Sequence, residues 1–103
     1  MFTSIGMDNF EAEIRMEKRP VLLACIRRGF GVSEQIRLLE EISKKHAHSL
    51  KICLLYEGLN EAYRELAIDG TPTFLLFSKG EEKGRMLGKV KMEALSTFIL
   101  ESL

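Results

Sequence analysis

Tryptophan is absent from these 103 residues, proline and cysteine occur twice each, and 15 basic side chains cancel 15 acidic ones. Each scarcity excludes something. Without net charge there is no electrostatic case for a nucleic-acid or anionic-membrane partner. No stretch approaches the roughly 18 consecutive apolar residues of a membrane-spanning helix. The opening "MFTSIGMDNF" has neither the basic start nor the apolar core of a secretion signal. The expectation is a soluble, cytoplasmic protein. Cys25 and Cys53 lie singly inside apolar runs, with no C-x-x-C spacing and no His partner motif. That argues against zinc and against a disulfide scaffold, and no metal or cofactor is expected. Repeats, linkers and low-complexity tracts are also missing. What remains is 46% hydrophobic and 29% charged, a globular balance in a chain sized for one core, so residues 1–103 read as a single domain.

Short apolar runs alternate with amphipathic ones, and this order predicts the architecture. "FTSI" (2–5) reads as a weak strand. Residues 8–17 put Phe10 and Ile14 on one helical face, with Asp8 at the positive end and Pro20 as the stop. "VLLACI" (21–26) is apolar throughout, as a central strand covered on both faces should be. Ile36, Leu39 and Ile42 recur at helical spacing over 33–47, with Glu40–Lys44 and Glu41–Lys45 as i,i+4 pairs on the wet side. "KICLLY" (51–56) reads as a second buried strand, and 59–67 as a short helix carrying Leu59, Ala62, Tyr63 and Leu66. "TFLLF" (73–77), the turn Ser78-Lys79-Gly80-Glu81 and residues 83–87 predict a hairpin. Met92, Leu95, Phe98 and Ile99 mark a closing helix. The order β-α-β-α-β-α-β-β-α implies an α/β domain with parallel early strands, one terminal hairpin and helices on both faces.

Between the first buried strand and the long helix stands "RRGFGVS" (27–33), where α/β proteins usually keep chemistry. Two stretches here resemble thioredoxins. "RPVLLACIRRGFG" is similar to that family's central strand and active-site turn, usually "P-V-L-V-D-F-W-A-x-W-C-G-P-C". "DGTPTFLLFSKGE" is similar to its "G-I-P-T" stretch and the strand behind it. The resemblance runs without a gap from Pro72 to Leu103, including Gly80 and Gly88, and covers essentially the whole chain. It implies the thioredoxin fold: a mixed five-stranded sheet flanked by helices on both faces.

Laid residue by residue, the resemblance puts Phe30 at the nucleophilic cysteine and Ser33 at the resolving one, with Gly31 and Val32 between them. Gly29 replaces the preceding Trp, and Ala24 the buried Asp. The Lys partner of that Asp falls on Leu54 or Cys53, depending on register. These losses are coherent, since a buried Asp without its Lys is a costly unpaired charge and apolar replacement of both is tolerated. Thiol–disulfide exchange needs an accessible thiolate and a resolving partner. Phe30 and Ser33 supply neither, so no catalytic residue is expected at the turn.

The individual residues carry plainer readings too. Ser33 reads as the N-cap of the helix from residue 34 onward, with Glu34 favoured by the dipole. Phe30 is either an apolar knob on a peptide groove or a ring folded back over the sheet edge. In the family the proline matching Pro72 is cis, and the residue before it, here Thr71, offers backbone hydrogen bonds to an extended peptide; this strand addition needs no sulfur. Arg27 and Arg28 read as solvated charge, with anion binding at the helix start as the alternative. His46 and His48, two apart, face different ways and suit a helix end better than a metal. Cys25 and Cys53 read as small core residues. If Cys53 takes the Lys position, it shares the Ala24 face and cannot bond Cys25. A shift of one residue puts both cysteines on one face and makes a buried disulfide conceivable.

The function expected on this reading is a redox-inactive, polypeptide-binding, chaperone-like or adaptor module, monomeric or weakly dimeric. Its groove would use Phe30, Gly31, Val32, Thr71, Pro72, Leu87 and Gly88. The alternative is a divergent thiol-disulfide oxidoreductase using Cys25 or Cys53.

Overall fold

The computed structural model describes residues 2–29, 31–46, 48–58 and 60–103. Five strands form one mixed sheet: β1 (Thr3–Ser4), β2 (Val21–Ile26), β3 (Lys51–Tyr56), β4 (Thr73–Ser78) and β5 (Glu81–Leu87), in the order β1-β3-β2-β4-β5. The first three run parallel, and β4 and β5 are antiparallel. The helices are α1 (Val32–Lys45), α2 (Asn60–Glu65) and α3 (Met92–Ser102). This is the expected element order.

Every residue of β2 is buried, because the central strand is covered on both faces. Alternation then sorts two cores. Leu22, Ala24, Ile26, Leu54, Phe74 and Leu76 pack with Leu39 and Ile42 of α1 and Leu95 and Ile99 of α3. Leu23, Cys25, Cys53, Leu55, Leu75 and Phe77 face the other way, onto Ile14 and onto Ala62 of α2. Full burial of a leucine contributes about 1.5–3 kcal/mol, and β2 supplies one to each core, Leu22 and Leu23.

The structure differs from the sequence expectation at several ends. The first strand shrinks from 2–5 to two residues, although the Ile5 amide still donates to Leu54 O at 2.7 Å. The helix expected over 8–17 is a five-residue π-helical segment, Glu11–Arg15, closed by Met16 N to Glu11 O at 2.9 Å. Such wide turns have no recognised sequence period, so the 3.6-residue pattern misreads them. The Lys51 ammonium holds this segment to the sheet by reaching Glu13 Oε1 at 2.6 Å and Glu13 O at 3.0 Å. On α1, Lys44 pairs with Glu41 at 3.4 Å rather than with Glu40. Leu59, expected to open the second helix, lies outside the described residues. The hairpin turn is tighter than drawn, with Ser78 paired to Glu81 across Lys79-Gly80, both at positive φ (53° and 83°), as two-residue hairpins prefer.

Candidate functional site

The turn after β2 carries the chain onto α1. Gly31 stands just before the helix at φ +90°, a left-handed conformation that glycine adopts without a Cβ penalty. The helix consequently begins at Val32, two residues earlier than the start at residue 34 that a cap at Ser33 implies. Ser33 is thus exposed within the first helical turn, and no side chain caps α1. Phe30, the pivotal residue of the sequence reading, lies outside the described residues.

The facing loop contains a cis Thr71-Pro72 bond. Pro72 is buried, Thr71 half-buried, and the Thr73 hydroxyl donates to Gly70 O at 2.7 Å. Gly88 N donates to Pro72 O at 2.9 Å, so the end of β5 is tied to this loop. Thr73 stands opposite Leu87, whose side chain is 62% exposed.

Gly31 and Pro72 line one groove, of about 280 Å³. Its floor is Leu38, Pro72, Phe74, Val90 and Met92, and its walls include Gln35, Lys89 and Lys91. Val32 and Ser33 line the next depression instead, beside Arg28, Ile36, Arg37 and Tyr56. Leu87 sits on the exposed end of β5, and Thr71 and Gly88 frame the proline. Of the expected residues, Gly31 and Pro72 line this groove and Val32 and Ser33 line the second hollow, whereas Thr71, Leu87 and Gly88 line neither. The sequence reading missed Gln35, Leu38, Phe74 and residues 89–92. The signal for residues 89–91 is the "KVK" after Gly88, whose alternation sends Val90 toward the core and both lysines outward.

The arginines before the turn are engaged locally. Arg27 pairs with Glu57 at 3.5 Å, and the Arg28 guanidinium lies 3.9 Å from the centre of the Tyr56 ring. Both side chains are exposed, in keeping with surface charge.

The chemistry of the thiols follows from the register. Ala24 stands opposite Leu54, so the family's Asp–Lys position is apolar on both strands. Cys53 is opposite Leu23 and Cys25 opposite Leu55, which puts both cysteines on the same face. They are two steps apart along neighbouring strands, roughly 8 Å between Cα atoms from ordinary strand spacings, beyond disulfide reach. Both thiols are free and fully buried. Burial pushes the Cys25 thiol up to about 12 and Cys53 up to about 11. Neither has thiolate character near neutrality. Among the described residues no group of three or more His, Cys, Asp or Glu is placed to hold a metal, and no helix is long and apolar enough to cross a membrane.

No protein-family model matches the chain. It is 29% identical over 97 residues to a thioredoxin of Acidithiobacillus ferridurans, an alignment covering 92% of this chain and 90% of that protein. The strand order, the two-faced core and this similarity agree: the chain has the thioredoxin fold and is similar to a thioredoxin over nearly its whole length.

Proposed function

We propose that the chain is a redox-inactive, thioredoxin-like module that binds polypeptide at the groove beside Pro72, in a chaperone-like, accessory or adaptor role. One observation carries the reading. The chain's two sulfhydryls are sealed in the core while the turn that would hold reactive cysteines contains none. A thiolate attacker must be both ionised and reachable, and Cys25 and Cys53 are neither. The apolar groove floor beside Pro72 and the exposed Leu87 support the polypeptide-binding reading.

Reduction of insulin disulfides tests this, with and without a thioredoxin reductase system, beside a Cys25→Ala, Cys53→Ala double variant. The expected result is no turnover by either protein. Turnover that the double variant loses would overturn the reading and make a core cysteine the nucleophile, reached by local opening of the sheet.

A further inference from the structure

The groove beside Pro72 carries information about its occupant. At about 280 Å³ it is smaller than the 300–1,000 Å³ usual for small-molecule sites, and it suits one large apolar side chain. Its floor of Leu38, Phe74, Val90 and Met92 makes that preference chemical as well as steric. The rim is different. Lys89 and Lys91 flank Val90 in an extended segment, both exposed, and neither makes an ion pair among the described residues. Glu34 also lines the groove, so two ammoniums face one carboxylate in a chain with no net charge. Lys89 Nζ lies 3.9 Å from where a Cβ on Gly31 would be, so this ammonium reaches across to the turn on the far wall. Gln35, in the same wall, has a carbonyl oxygen closed off from solvent without a hydrogen-bond partner.

We propose that the occupant is an extended acidic polypeptide segment, with an apolar side chain seated on the Leu38–Phe74–Val90–Met92 floor and a neighbouring carboxylate held between Lys89 and Lys91. This rests on the polypeptide-binding reading above and adds the charge of the partner. The lysines set the preference and the association rate, because rim charges act chiefly through long-range attraction.

The test is fluorescence-anisotropy titration of the full chain with three synthetic labelled peptides of one length. Each has a central leucine, flanked by glutamates, by glutamines or by lysines. The acidic peptide is expected to bind about tenfold tighter than the neutral one, with the basic one weakest, as two exposed charge pairs allow. Added salt should erase the difference. A Lys89→Glu, Lys91→Glu double variant should invert the ranking, and because both side chains are exposed the fold should survive. Equal binding of all three peptides, unchanged in the variant, overturns the acidic preference while leaving polypeptide binding intact. No binding of any peptide overturns the polypeptide reading and this inference with it.

Discussion

Gly88 donates its backbone N–H to the Pro72 carbonyl at 2.9 Å, joining the last residue of the hairpin region to the loop that floors the groove. Gly88 stands at φ +86°, and a Cβ there would meet nothing within 4 Å. A Gly88→Ala change therefore tests backbone conformation without steric clash. The left-handed conformation costs an L-residue about 1–2 kcal/mol. We expect that loss in denaturant-unfolding stability, together with weaker peptide binding as the loop loosens. An unchanged midpoint would mean that the backbone relaxes freely, and that the tie to Pro72 does not shape the site.

Arg85 makes the most extensive polar junction on the opposite side of the hairpin. Its guanidinium donates to Leu66 O at 2.8 Å and Ala67 O at 3.0 Å, and it grips both Glu82 oxygens at 2.6 and 2.7 Å. The carbonyls it satisfies are those left open where α2 ends, beside Ala67 at φ +55°. A lysine keeps the charge but not the fork. Arg85→Lys is expected to cost about 1–2 kcal/mol, and to speed amide exchange at Leu66 and Ile68, which close the end of α2. Exchange unchanged at those amides, with stability also intact, would show that water replaces the guanidinium equally well.

These junctions also show what a sequence can carry. The β2 run "VLLACI" and the Leu39–Ile42 spacing declare themselves through periodicity, and both structural faces of the sheet follow from them. The pairing of Ala24 with Leu54 rather than Cys53 does not. It depends on where β3 starts, which Lys51 N bonding to Pro20 O at 2.9 Å decides through a long-range contact. The same holds for the groove. Gly31 and Pro72 are legible through resemblance, whereas Gln35 and Lys89 line the groove only because α1 and the 89–92 segment meet in space.

Acid stability should centre on Glu17. Hydrogen bonds from the Arg19 side chain, then from its backbone amide, hold this carboxyl down to about 2 from an ordinary 4.5. A depressed carboxyl stabilises the fold above its unfolded value, and that contribution is lost as pH falls from about 4.5 toward about 2. The Arg19 side chain is nearly half exposed, so screening limits the contribution to about 1 kcal/mol. Glu17→Gln should therefore lower stability by about that much at neutral pH and flatten the acid limb of the stability profile. Parallel acid limbs for the two proteins would remove Glu17 from the account.

The alkaline limb belongs to the thiols. Burial raises Cys25 and Cys53 well above their ordinary 9.0, and it raises the Tyr63 hydroxyl in the same direction. In the unfolded chain each thiol ionises near its ordinary value, while the folded chain keeps the proton, so the unfolded state binds fewer protons above about pH 9 and stability falls as pH rises. Each thiol contributes a slope of up to about 1.4 kcal/mol per pH unit until its folded value is reached. Unfolding titrations at about pH 8 and about pH 10 should show the loss in the native chain. Cys53→Ala should be less stable at pH 8 through its lost packing, yet lose about 1 kcal/mol less between the two pH values. The same burial predicts that both native thiols react with a thiol probe only at the rate of local or global opening. Equal alkaline slopes, or prompt labelling of the folded chain, would show a cysteine in contact with solvent and return thiol chemistry to consideration.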